Sequence, residues 1–269
     1  MLDRIQARVN AKSPLVALAL FLGLSGCHRN SAPSNAPSQD AAAPHTSAAA
    51  TAPVDPATAG TLTGTIDLKG TPPPRVKIDM SMDPACAFAG DNLTEQYVGD
   101  KGHLGNVFVY IKSGLPSSSA PAGTTPVRID QKGCRFIPHV AAVQQGAPVE
   151  FTNSDPTMHN VHTMTTVVGD TNMDVSQGPN AAPQTRRFNA PETMLAIRCN
   201  NHPWMQAFLN IAPNPYFAVT APDGSFSIPN LPPGTYTLAA VHEKLGEQDT
   251  QITVSPHATT KTSLTFPMK

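Results

Sequence analysis

Four side chains in two short segments have the types and the spacing of a metal site. One segment contains His159, and the other, about 40 residues later, contains Cys199, His202 and Met205 in the pattern C-x2-H-x2-M. Sulfur suits Cu(I), imidazole suits Cu(II), and two His and one Cys with a weak axial Met serve both oxidation states. The sequence therefore predicts one mononuclear Cu(I)/Cu(II) ion with these four residues as its ligands.

The residues before Cys199 indicate which element must position the thiolate. Leu195, Ile197 and Cys199 alternate with other residues, so they share one face of a β-strand. The sulfur then lies at the inward end of the strand, where a packed β-sandwich excludes water. Another extended segment, residues 148–153, is followed at once by the run that leads to His159.

Three further residues near the ligands each have two interpretations. Trp204 either packs over the site or forms a contact surface at the exposed edge of His202, and the two roles are compatible. On a strand, His162 would point away from His159, which favours a neighbour over an accessory ligand. His242, near the end of a C-terminal strand, either lines the copper edge or has an ordinary packing role.

The first 26 residues have the features of a secretory signal. A basic region precedes a short apolar run, residues 15–24, and the small residues Ser25 and Gly26 come directly before Cys27. Such a run is too short to span a membrane. The end of this segment resembles a bacterial lipobox, which implies a lipid anchor on Cys27, and a cleaved signal that happens to precede a Cys is the alternative. We expect a bacterial cell-envelope lipoprotein that faces the periplasm or the cell surface.

The segment after the signal, residues 27–58, consists almost entirely of Ala, Ser, Pro, Thr and Asn. It has too little apolar surface to offset the entropy of ordering it. We therefore expect a disordered tether between the lipid anchor and a folded head.

Composition excludes several classes of function. The chain has 14% charged residues, 28 Pro and 18 Gly, which favours strands and turns over helices. A formal net charge of −1 gives no basis for nucleic-acid binding. The sequence has no glycine-rich phosphate loop and no carboxylate pair placed by its spacing, so we expect an electron carrier rather than an enzyme.

The four cysteines can be assigned to three roles. Cys27 is assigned to lipid and Cys199 to copper, which leaves Cys86 and Cys134 in a compartment that permits disulfides. We expect these two to be bonded to each other, and two free thiols are the alternative.

Strand patterns continue on both sides of the predicted metal site. Residues 60–70 alternate with a period of two, and residues 106–112 form a more buried strand. Near the C-terminus, Asp223-Gly224 between short alternating segments predicts a β-hairpin.

Residues 126–212 resemble a cupredoxin. The resemblance is carried by motifs that follow one another in the family's order: Val-x-Ile, a Pro-Val strand, Asn-x-Asp, His159-Asn160-Val161 and the C-x2-H-x2-M loop. The loop has the short spacing found in amicyanin. The resemblance implies a Greek-key β-sandwich, with Asn160 as a neighbour of the ligands that hydrogen-bonds near the thiolate.

Residues 213–269 resemble the carboxypeptidase regulatory-like module, a transthyretin-like β-sandwich that is similar to the middle domain of rhamnogalacturonan lyases. Asp223-Gly224 and Leu231-Pro232-Pro233-Gly234 carry this resemblance, and residues 59–125 look like the first strands of the same module. The fold class expected for the whole chain is all-β, a cupredoxin sandwich combined with this smaller sandwich.

These resemblances imply single-electron transfer with redox protein partners in the cell envelope. Two other functions stay open: a copper storage or delivery protein that uses the same ligands, and an envelope module that binds carbohydrate or protein. Visible absorption separates the first function from the others, because the resemblance implies a blue protein.

Overall fold

The computed structural model describes residues 56–116 and 122–268. The predicted signal, Cys27 and most of the predicted tether lie outside these residues. Pro56–Thr58, at the end of the predicted tether, form a 3-10 turn. The Thr58 carbonyl accepts a hydrogen bond from the His257 N–H at 3.3 Å, which ties this turn to the C-terminal strands. No helix among the described residues has the length and apolar character needed to span a bilayer.

Strands dominate the described chain, as expected from the abundance of turn formers and the alternating apolar residues. One short helix, α1 (Pro84–Ala87), interrupts them. The strands are β1 (Gly60–Lys69), β2 (Phe108–Ser113), β3 (Val127–Gln131), β4 (Phe136–Ile137), β5 (Val140–Gln144), β6 (Pro148–Asn153), β7 (His159–Met164), β8 (Asp174–Gln177), β9 (Gln184–Arg187), β10 (Glu192–Arg198), β11 (Gln206–Ala212), β12 (Phe217–Val219), β13 (Ser225–Leu231), β14 (Gly234–His242), β15 (Gly246–Val254) and β16 (Thr259–Pro267).

The first sandwich contains the predicted metal-binding segments. Its two sheets have the strand orders β4-β3-β6-β9 and β5-β11-β10-β7-β8. Phe151 on β6, Val161 on β7, Ile197 on β10 and Leu209 on β11 are fully buried in one apolar core. Burial of this alternating apolar set fixes the strand register, since a shift by one residue would turn every side chain to the other face.

The second sandwich joins the two ends of the described chain. Its sheets have the orders β13-β1-β16 and β12-β2-β14-β15. Strand β1 lies between two C-terminal strands, antiparallel to β13 and parallel to β16. Leu62, Ile66, Leu238 and Phe266 are fully buried in its core. The division of the chain at residues 126 and 213 stays a prediction.

The Asp223-Gly224 turn forms, but the predicted hairpin does not. Gly224 has a φ of 73° and its N–H donates to the Ala221 carbonyl at 2.8 Å, so the turn chemistry is as expected. The strands on either side pair elsewhere, β12 with β2 and β13 with β1. The turn therefore carries the chain from one sheet to the other.

A long irregular connection between β1 and β2 reaches across to the first sandwich. Its residues 76–94 form what we call the capping loop. The Thr94 N–H donates to the Val76 carbonyl and the Ile78 N–H to the Asn92 carbonyl, at 2.9 and 2.8 Å, which closes the base of the loop. Met80 in this loop is buried in the core of the first sandwich.

Candidate metal centre

The register of two neighbouring strands brings the first His and the Cys together. β7 begins at His159, and it pairs antiparallel with β10 so that His162 lies opposite Arg198. Cys199 follows directly after β10, which carries it toward the start of β7. His159 is fully buried and Cys199 is 4% exposed, so the site lies inside the sandwich as the alternation predicted.

A tight loop brings the remaining predicted ligands back to Cys199. The Met205 N–H donates to the His202 carbonyl at 2.9 Å, and the Cys199 N–H donates to the Met205 carbonyl at 3.2 Å. Met205 is 1% exposed and belongs to the same apolar core as Cys199. One donor atom from each of His159, Cys199 and His202 lies within 4.8 Å of the other two.

The two imidazoles face each other through their Nδ1 atoms. These atoms are 2.9 Å apart, and the Nδ1 of His202 is 3.5 Å from the Sγ of Cys199. The Nε2 atoms point outward, to Asp155 Oδ2 for His159 and to Asp83 Oδ2 for His202, each at 2.9 Å.

The positions of the protons on the two imidazoles decide whether these residues fit a metal ion. An ionised carboxylate only accepts hydrogen bonds, so each neutral imidazole must carry its proton on Nε2. Each Nδ1 then presents a lone pair, and two lone pairs that face each other at 2.9 Å repel unless a metal ion or an added proton lies between them. Two imidazole nitrogens, a thiol sulfur and a buried thioether nearby are the donor types that copper prefers. The residues fit.

Burial and hydrogen bonds set the charges around the site. Burial lowers the pKa of His159, although the hydrogen bond and the charge of Asp155 oppose that shift. The hydrogen bond from His202 holds the pKa of Asp83 below its ordinary value, so this carboxylate is ionised at neutral pH.

Asn160 connects the two strands that carry the ligands. Its backbone N–H donates to the Sγ of Cys199 at 3.3 Å, and its side-chain oxygen accepts from the Asn200 N–H at 3.2 Å. Its amide also donates to Asp174 at 2.7 Å. Asn160 thus lies beside the sulfur, where the resemblance to cupredoxins implied it would be.

Asp155 is fixed by backbone groups. Its two oxygens accept hydrogen bonds from the Gly133 and Cys134 N–H groups, each at 2.7 Å. A carboxylate held this way orients the His159 ring and increases the basicity of its other nitrogen.

The edge of His202 is not exposed, contrary to the interpretation of Trp204 as part of an exposed contact surface. His202 is 4% exposed, because Asp83 of the capping loop lies against its Nε2. The Trp204 ring packs against His202 with ring centres 5.1 Å apart, and its Nε1 donates to the Cys134 carbonyl at 3.2 Å. This geometry describes the packing role, and a contact role for Trp204 stays a prediction.

The two candidate accessory histidines lie outside the cluster of His159, Cys199 and His202. His162 has its Nδ1 3.0 Å from the Asn200 side-chain oxygen. His242 is 1% exposed at the end of β14, where its ring stacks on Tyr97 with centres 5.7 Å apart.

A disulfide joins Cys86 of α1 to Cys134, which precedes β4. The bond ties the capping loop to the first sandwich beside the candidate metal centre. Cys199 is a free, buried cysteine. The predicted lipidation site, Cys27, lies outside the described residues.

Sequence reasoning missed both carboxylates. Asp155 lies four residues before His159, and this proximity to a predicted ligand is a signal that could have identified it. Asp83 lies 119 residues before His202 and in an irregular segment, so no local pattern indicates it.

Comparisons with known proteins give matches to two kinds of module. Residues 200–262 match the family model described as polysaccharide lyase family 4, domain II, which supports a second module in the C-terminal part. No curated protein matches the sequence.

Solved structures similar to this chain include copper proteins. A copper-containing nitrite reductase from Thermus scotoductus is 20% identical with a TM-score of 0.30, and the match covers 37% of this chain and 25% of that one. A purple cupredoxin from Nitrosopumilus maritimus is 17% identical with a TM-score of 0.27, over 31% and 97%. A reduced amicyanin mutant is 18% identical with a TM-score of 0.29, over 39% and 98%. This chain thus spans a quarter of the length of the nitrite reductase.

Proposed function

We propose that this protein carries single electrons on one copper ion held by His159, Cys199, His202 and Met205. The observation that supports the proposal most strongly is the pair of Nδ1 atoms 2.9 Å apart, with both Nε2 atoms occupied by carboxylates. Together with the sulfur of Cys199, they form a converging set of donors in a buried position.

The residues around the donors favour fast electron transfer. Copper supplies a one-electron change between Cu(II) and Cu(I). Asp155 and Asp83 fix the orientation of the two imidazole rings by hydrogen bonds. Backbone hydrogen bonds between Cys199, His202 and Met205 fix the loop. The Asn160 N–H fixes the position of the sulfur. Donors held in this way move little when the charge changes, so the reorganisation energy is small. Burial excludes water and lets the hydrogen bonds to the sulfur tune the potential.

One spectroscopic experiment tests the proposal. The purified protein receives one equivalent of Cu(II), and its visible absorption is recorded before and after a reductant and then an oxidant. We expect an intense thiolate-to-Cu(II) charge-transfer band that disappears and returns. A protein that binds Cu(II) without this band would contradict the proposal.

A copper store or carrier is the second candidate. It is favoured by the burial of the four ligands, none of which is more than 4% exposed. Stopped-flow electron exchange with a small redox reagent distinguishes the two functions. Rapid reversible exchange supports an electron carrier, and slow exchange with tight Cu(I) retention supports a store.

We also propose that a lipid on Cys27 anchors the protein in the cell envelope, where its partners are redox proteins. The support is the basic and apolar N-terminal sequence that ends at Cys27. Cys27→Ala should move the protein from the detergent phase to the aqueous phase in a phase-partition experiment. Equal partition of the two proteins would contradict the anchor.

A further inference from the structure

We propose that Asp83 is a positioning residue for the copper site. Its carboxylate orients His202 through the outer nitrogen of the ring, excludes solvent from that edge and lowers the reduction potential of the bound ion. The inference rests on the proposed function, but the contact between the two residues can be tested without copper.

The carboxylate of Asp83 is held from several sides. Its Oδ2 accepts from the His202 Nε2–H at 2.9 Å and from the Thr157 hydroxyl at 3.1 Å, while its Oδ1 accepts from the Ala85 N–H at 2.8 Å. Both oxygens are therefore occupied, and the carboxylate has one orientation relative to the imidazole. This is the geometry of a residue that fixes a ring.

The capping loop that carries Asp83 is anchored on the first sandwich. Three residues after Asp83, Cys86 is bonded to Cys134. The Asn92 amide donates to the Gly133 carbonyl at 2.7 Å, and Met80 is buried in the sandwich core. The packing of Met80 before Asp83, and the disulfide and the Asn92 hydrogen bond after it, hold Asp83 over His202.

Both ligand imidazoles thus have a carboxylate on the nitrogen that faces away from the donor cluster. The two carboxylates reach the site from different parts of the chain, Asp155 from the loop before β7 and Asp83 from the capping loop. They meet at the disulfide: Asp155 binds the Cys134 N–H, and the sulfur of Cys86 lies within 4.8 Å of donor atoms of Asp83 and His202. Because of this arrangement, His202 is almost as buried as His159.

A carboxylate beside the outer nitrogen of His202 changes the donor strength of the nitrogen that faces the metal site. A carboxylate that accepts from Nε2–H makes the imidazole a stronger donor through Nδ1. A stronger donor and a nearby negative charge both stabilise Cu(II) more than Cu(I). The reduction potential is therefore lower than it would be with water at this edge.

The main test compares Asp83→Asn with Asp79→Asn. Asn keeps an oxygen that can cap α1 and accept from His202, so the first variant removes mainly the charge. Asp79 lies in the same loop and accepts from the Ser81 N–H at 3.0 Å, which makes Asp79→Asn a matched control. We expect Asp83→Asn to raise the Cu(I)-to-Cu(II) affinity ratio by about tenfold, which is ~59 mV for a one-electron couple. An Asp83→Asn potential equal to that of Asp79→Asn would overturn the proposal.

The contact itself is tested in the copper-free protein. In ¹⁵N NMR spectra, we expect His202 of the wild type to be the Nε2–H tautomer, with slow exchange of that proton. Asp83→Ala should accelerate this exchange strongly, and Asp79→Ala should not. Unchanged exchange in Asp83→Ala would overturn the positioning role. If the wild type bound no copper but showed this protected proton, the proposed function would fail while the Asp83–His202 contact stood.

Discussion

The backbone N–H of Asn160 donates a hydrogen bond to the sulfur of Cys199 across 3.3 Å. This contact withdraws electron density from the thiolate, and it therefore favours Cu(I). Asp83 acts on His202 in the opposite direction. In the proposed copper protein, these two opposing contacts, one on the sulfur and one on an imidazole, would set the reduction potential of a site that is buried from water.

Replacement of the thiolate tests the centre most directly. Cys199→Ser should abolish the intense visible band, because a hydroxyl cannot supply the thiolate-to-Cu(II) charge transfer. The fold should remain, since the apolar core of the first sandwich does not depend on the metal. Visible absorption of the Cu(II) protein and far-UV circular dichroism check the two expectations. An intensely blue Cys199→Ser protein would refute the ligand assignment.

The axial position is tested by Met205→Leu. A thioether is a weak axial donor, and its loss favours the lower-coordinate Cu(I) state. We expect copper to stay bound and the potential to rise by at least ~59 mV, a tenfold change in relative affinity. Met164→Leu is the control, because Met164 is 39% exposed at the end of β7. Loss of copper, or a shift no larger than in the control, would count against Met205.

The local part of the site could be predicted from the sequence. The alternation of Leu195, Ile197 and Cys199 indicated a strand with a buried face, and all three residues are buried in the structure. The spacing of Cys199, His202 and Met205 indicated a shared site because side chains on one short loop lie close together. Both signals depend on neighbours in the chain.

The capping loop could not be predicted in the same way. Asp83 lies in a segment without a regular strand or helix pattern, and its partner His202 is 119 residues away in the chain. Only the packed structure brings the two residues together. The error at Asp223-Gly224 has a related cause. Turn residues determine the local backbone, whereas the partner of each strand depends on which sandwich layer buries its apolar face.

Removal of the disulfide should destabilise the protein. The bond between Cys86 and Cys134 closes a loop with a sequence separation of 48. By chain entropy, such a loop contributes roughly 4 kcal/mol. Cys86→Ala/Cys134→Ala should lower the free energy of unfolding by an amount of that order in urea denaturation. Peptide mapping under non-reducing conditions checks the bond, and two free thiols in protein isolated without a reductant would refute it.

His242 should make stability depend on pH in the mildly acidic range. Burial lowers the pKa of His242 to about 4, with Glu243 and the Gln96 carbonyl opposing the shift and the charges of His139 and Lys244 adding to it. In the unfolded chain His242 has its ordinary pKa of about 6.5, whereas in the folded chain it binds a proton only near pH 4. The contribution that neutral His242 makes to the free energy of unfolding is therefore fully present above pH 6.5, and it is lost as the pH falls toward 4.

The matched variant His242→Leu isolates this effect. It removes the titrating group from a position that is 1% exposed and packed against Tyr97 and Phe266. We expect the wild type to lose about 3 kcal/mol more than the variant between pH 7.5 and pH 4, from linkage over the full shift. Urea unfolding of both copper-free proteins across this range provides the measurement. Parallel pH profiles would mean that His242 has the same pKa in the folded and the unfolded chain, and the prediction would then be wrong.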